Sequence, residues 1–300
     1  MTGFRLFTVT GLVDSALAVW RQNLGVFVSL TLLAISPIGV LIMALDYLAS
    51  ARRLFASTYE YDYLLILAAI LLPALVGWRA ICGGAMAQAA LEVLRRHTLS
   101  VKQRRSLAPI TVGAMFGKAS KRGLHLLCVG MIRTLLVWVM PLMMVVFVHK
   151  VDPAMDSDFR LVLSLGMVCV AWPLGALCSG LLIQWGPAAA AALPNKQAHK
   201  GVETLSRGIG LSFLLSVLLG LLMINIHMLM ALFLGLAHSL LAIDVSYWQQ
   251  FFSLNNRLWL WAMFWTAALV MEPVSRCAIT FLWVDGRVRQ DALDLRAQLM

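Results

Sequence analysis

Acidic residues are scarce in this chain: 14 Asp and Glu stand against 24 Lys and Arg in 300 residues, and charged residues make up only 13%. Soluble domains carry about 25% charge. With 61% hydrophobic residues and a mean hydropathy of +0.85, a soluble reading is excluded. Cysteine is sparse as well. Cys82, Cys128, Cys169, Cys178 and Cys277 all lie in apolar stretches and form no CxxC pair, which argues against a disulfide framework or a zinc site. They read as small core hydrophobes. Walker loops, metalloprotease helices and a nucleophile with its base are missing too, so no cofactor, metal or catalytic set is expected. The opening residues MTGFRLFTVTGLVDSALAVWRQN are interrupted by Arg5, Asp14 and Arg21, unlike a cleavable signal peptide.

What the chain does have is long apolar runs. Six of them, at 24–49, 64–91, 124–148, 161–188, 209–232 and 258–284, can each cross a hydrocarbon core of roughly 30 Å as a helix. The expected fold class is therefore all-α: a polytopic membrane protein with one transmembrane domain over 1–300, about six spans, short amphipathic helices leading into some of them, and a tail at 285–300. Apolar character after the fifth run continues to Ile243. That excess reads as an interfacial segment, because a single helix of such length would overshoot the bilayer.

Charge placement gives an orientation. The connection between runs two and three carries Arg95, Arg96, Lys102, Arg104, Arg105, Lys118, Lys121 and Arg122, and that between runs four and five carries Lys196, Lys200 and Arg207. The opposite loops hold most of the acids, so the positive-inside rule makes both termini cytoplasmic in a bacterial inner membrane. Basic residues flank the runs instead of tracking an exposed face, so nucleic acid is not an expected partner; anionic lipid headgroups and other membrane proteins are. Trp20, Trp185 and Trp283 would mark the inner boundary, and Tyr59, Tyr61, Tyr63, Trp259 and Trp261 the outer one. Three amphipathic stretches, VDSALAVWRQN, ITVGAMFGKASKRG and KGVETLSRGIG, precede the odd-numbered runs. Each is expected at the headgroup level with its apolar face in the acyl boundary.

Three segments carry a family resemblance. GLVDSALAVWRQNLGVFVSLTLLAISP, WGPAAAAALPNKQAHKGVETLSRGIGLSF and EPVSRCAITFLWVDGRVRQDALDLRAQL resemble, in that order, the opening, the third helical pair and the close of the glycerophosphoryl diester phosphodiesterase membrane domain and its six-helix bacterial relatives. They cover about a third of the chain. The chain departs from that pattern where Trp283 stands alone in place of an aromatic pair and where Gln290, Asp291 and Ala292 replace the usual residues. The resemblance implies a fold and a topology. It implies no hydrolysis, which in such enzymes resembles the work of a separate soluble barrel that has no room here.

Charge inside the apolar runs is the most informative feature, because each such side chain costs at least about 2.5 kcal/mol to insert. Arg133 and Arg276 fall at roughly 12 to 14 Å depth, and Glu272 and Arg79 at about 18 to 21 Å. Glu272 and Arg276, four apart, are expected to pair, leaving Arg79 and Arg133 to find carbonyls, Gln88, water or an anion. Two readings stand: an arginine site for a phosphate or carboxylate headgroup, or a structural network that fixes helix registry. Prolines at 37, 73, 141, 173 and 273 free carbonyls one turn earlier and can open a cavity. His125 with Cys128, Asn225 and His227 read as packing or hydrogen-bonded residues. Ala80 with Gly84, Gly83 with Ala87 and Ala176 with Gly180 have the spacing for close helix packing. The leading functional expectation is a noncatalytic scaffold or assembly component, bound through the basic loop and through a tail that includes Arg287 and Arg289. The alternative is a lipid or small-anion transporter or binding protein that uses the buried arginines.

Overall fold

The computed structural model describes residues 8–52, 59–98, 109–134, 202–241, 243–254 and 256–299, with single positions at 174, 177, 180, 187 and 190. Every described element is helical, and no strand occurs among them. In chain order they are α1 (Val9–Gln22), α2 (Leu24–Arg52), α3 (Tyr59–Thr98), α4 (Val112–Ser120), α5 (Gly123–Thr134), α6 (Val202–Leu241), α7 (Ser246–Phe251) and α8 (Arg257–Leu299). Three stretches among the described residues are long and apolar enough to cross a membrane: Leu24–Leu41 of α2, Ser206–Leu241 of α6 and Leu258–Val288 of α8. The run expected at 64–91 lies within helical α3, and that at 124–148 begins in α5. The rest of 124–148 and most of 161–188 lie outside the described residues.

Local chemistry sets the helix ends. Thr8 opens α1, its hydroxyl accepting the Gly11 N–H at 3.1 Å, and Thr111 opens α4 by accepting that of Ala114, as N-cap threonines do. Asn23 closes α1: its side-chain amide donates to the Val19 carbonyl at 3.1 Å. The chain restarts at once as α2, with the Asn23 carbonyl accepting from Phe27. Between α6 and α8, the Ser246 amide donates to Asp244 at 3.0 Å, which holds that carboxyl below the usual range.

Several expectations are corrected here. The apolar face of α1, Leu12, Val13, Ala16 and Val19, is buried in the core, and α1 packs on α8. α8 supplies a protein partner, so the face shares one core with Phe281 and Leu282 instead of facing lipid chains. The tail expected from 285 is this same helix. α4 likewise lies on α3, with Phe116 against Trp78 at 5.2 Å between ring centroids. The third amphipathic stretch is no separate helix but the start of α6, and the interfacial segment expected after residue 232 is the end of it. At 40 residues α6 is about 60 Å long. Its residues from Leu221 onward are mostly exposed and apolar, the composition that lipid contact tolerates. Trp259 and Trp283 are buried at 6% and 4% exposure, so their rings pack against protein.

The core gathers α1, α2, α3, α6 and α8 around Leu12, Phe27, Leu30, Met86, Leu211 and Leu282. α3 can come close because its inward face is small: Cys82, Ala85, Ala89 and Ala90 are fully buried. Proline is accommodated by a specific donor. Pro37 lacks the N–H that would bond the Leu33 carbonyl, and the Trp78 indole donates to that carbonyl at 2.7 Å from α3. Trp78→Phe should therefore cost about 1 kcal/mol, and less in a Pro37→Ala background, where residue 37 regains its own donor. Unfolding midpoints of the four proteins test this; an equal cost in both backgrounds would refute it.

Candidate functional site

The four charges of the apolar runs come together. α8 carries Glu272 and Arg276 one turn apart, α3 brings Arg79 and α5 brings Arg133, and all four line one cavity of about 340 Å³ that α6 also lines. Glu272 serves two arginines. One carboxylate oxygen accepts Arg79 Nη2 at 2.8 Å, and the other accepts Arg276 Nη2 at 2.8 Å and Nε at 3.1 Å. The expectation that this carboxylate neutralises Arg276 alone is thus corrected: Arg79, 193 residues away in sequence, shares it. Arg133 interacts electrostatically with all three. Gln88 does not join them, because its amide donates to the Ala190 carbonyl.

α6 and α8 run antiparallel, as two cross-contacts show: Arg207 with Asp285 at 2.6 Å and the Trp259 indole donating to His227 at 3.2 Å. Along the cavity, Ser212 and Thr280 therefore sit toward the Arg207 end, the ionised groups lie next, and Leu219 and Phe264 sit toward the His227 end. Ser216, Ser275 and Thr280 donate to carbonyls four residues back at 2.6, 2.6 and 2.7 Å, the usual arrangement for hydroxyls within helices. Ser212 and Arg79 differ. The Ser212 hydroxyl, on a residue only 7% exposed, and Arg79 Nε are buried with no hydrogen-bond partner among the described residues. Buried donors are normally satisfied; the Trp20 and Trp265 indoles are two further such donors among the described residues, but only Arg79 and Ser212 line the cavity.

Glycine keeps the cavity walls close. A Cβ on Gly83 would lie 2.8 Å from Arg276 Cζ, one on Gly84 would lie 2.6 Å from Leu126, and one on Gly130 would overlap the Ala80 methyl. The spacing of Ala80, Gly83 and Gly84 signalled this packing; Gly130 was not singled out. The hydroxyls were missed as well, since a serine in an apolar run usually bonds its own helix and gives no sign of which one does not.

Other residues fall elsewhere. Glu92 draws in Arg96 at 3.4 Å, Lys118 at 3.8 Å and Arg95 at 4.0 Å, so part of the basic loop folds back on α3. Lys121 is exposed, and Arg122 is half-buried at the turn between α4 and α5. Arg287 stacks over the Trp283 ring at 5.3 Å. Lys102, Arg104, Arg105 and the Arg289 side chain lie outside the described residues. Asn225 donates to the Leu221 carbonyl at 2.8 Å; with His227 bonded to Trp259, both are the hydrogen-bonded residues expected. His125 and Cys128 are exposed, and no group of three metal-ligating side chains occurs among the described residues.

Comparison of the chain with protein-family models, curated proteins and solved structures gives no match.

Proposed function

We propose that this protein binds, and moves or presents, an oxyanion in a cavity within the membrane, and that Arg79 is the residue that takes it. The observation that carries the reading is the pair of unspent buried donors, Arg79 Nε and Ser212 Oγ, on the wall of one cavity. A guanidinium edge suits a phosphate or carboxylate, and a hydroxyl in the same cavity is a further donor. Glu272 keeps the arginines in place while the cavity is empty, since a buried cation without a counter-charge is costly. On this reading the chain spans a bacterial inner membrane about six times with both termini cytoplasmic. Its proposed kinship with the phosphodiesterase membrane domain rests on the three segments and carries no enzymatic activity.

In a neutral detergent, inorganic phosphate and alkyl phosphates should raise the unfolding midpoint of the wild type. Arg79→Met should weaken that response by at least about tenfold in concentration, the worth of one charge-assisted hydrogen bond. If no anion stabilises the wild type, or the variant responds equally, the reading fails.

An assembly role is the second reading, favoured by the exposure of Lys118 and Lys121 at the end of α4. Reversing Lys121 to Glu should then release a copurifying membrane partner; a partner retained in full would count against it.

A further inference from the structure

We infer that the ligand of this cavity is an amphiphile: an oxyanion head carrying an apolar chain, and not a free inorganic anion. The inference rests on the anion-binding reading above. About 340 Å³ falls at the lower end of the range for organic-ligand pockets, which are mostly apolar with a few convergent polar groups. This cavity is lined mostly by apolar residues, and along α6 and α8 its hydroxyl and ionised groups gather toward one end. On α8, Glu272, Ser275, Arg276 and Thr280 line one part of the cavity, while Phe264, Ala268 and Met271 line the next two turns. α6 repeats the order in reverse, with Ser212 and Ser216 before Leu219, and α3 places Val76 one turn beyond Arg79.

The antiparallel pairing of α6 with α8 sets these apolar residues side by side. From Glu272 to Phe264 the apolar part extends about 12 Å. A bare phosphate held at Arg79 would leave that length unfilled, whereas an attached alkyl chain would fill it. Each methylene placed there should tighten binding by up to about fourfold.

The test compares inorganic phosphate, butyl phosphate, dodecyl phosphate and dodecanol by the unfolding midpoint of the full chain in a neutral detergent. A second series uses Ala268→Phe, which adds bulk to the apolar part of the cavity wall. The wild type should respond more strongly as the alkyl phosphate lengthens, by at least about tenfold from butyl to dodecyl. Ala268→Phe should lose the dependence on chain length. Equal responses to inorganic and dodecyl phosphate would overturn the amphiphile and leave the anion site standing. Silence toward every phosphate would overturn both. A dodecanol response equal to that of dodecyl phosphate would show that the chain alone binds, and undiminished chain dependence in Ala268→Phe would place the chain outside the cavity; either result overturns the inference. The wild-type series decides alone if the variant does not fold.

Discussion

Glu272→Ala should lower stability by about 3 kcal/mol. Removing one member of a buried ionic network leaves the others uncompensated, at roughly 3 to 5 kcal/mol. Here the lower end applies: Arg79 keeps 39% of its side-chain surface accessible and Arg276 21%, so water in the cavity recovers part of the lost interaction. The loss should also be repairable in a way that ordinary core damage is not. Alkyl phosphate should restore the Glu272→Ala midpoint by more than it raises the wild type, because the anion then replaces the missing carboxylate between Arg79 and Arg276. Arg79→Met combined with Glu272→Ala should cost less than the sum of the two single changes, since the arginine no longer stands without its partner. Denaturation midpoints of the three variants, with and without alkyl phosphate, give the answer. Additive costs with no preferential rescue would mean that Glu272 is not the counter-ion of this site.

How much of the site was legible in the sequence follows from which contacts are local. Glu272 and Arg276 are one helical turn apart, so their pairing could be read from spacing alone. The bond from Arg79 to the same carboxylate depends on how α3 meets α8, which no local pattern encodes, and that is why the arginine seemed to need another partner. The same limit explains α1. Its amphipathic period was plain, but a period says only that one face is buried, and lipid and α8 satisfy it equally. The basic loop was legible as charge, though Glu92 lies on the preceding helix and its hold on Arg96 and Lys118 needed the packing of α4 on α3. Parts of the chain far apart in sequence nevertheless meet in space: α1 packs on α8, and Arg207 of α6 bonds Asp285 of α8.

The helix packing that shapes the cavity can be tested at glycines whose surroundings differ in kind. At Gly180 an added Cβ would lie 2.6 Å from the Ile209 Cα and 2.7 Å from its nitrogen. Backbone cannot swing aside as a side chain can, so Gly180→Ala should force the neighbouring segment away from α6 and lower stability by about 1 to 3 kcal/mol, the usual cost of overpacking. At Gly83 the obstacle is the tip of Arg276, which can move, but only by leaving Glu272. Gly83→Ala should therefore lower stability by part of the roughly 3 kcal/mol expected for loss of Glu272, and also weaken anion binding. Gly235 has nothing within 4 Å, so Gly235→Ala gains the helix propensity of alanine and should stabilise by up to about 1 kcal/mol. Unfolding midpoints and alkyl phosphate titrations of the three variants should order them in that way. A Gly180→Ala midpoint at or above that of wild type would mean that α6 does not make this close crossing, and the α6 wall of the cavity, with Ser212 on it, would have to be placed elsewhere.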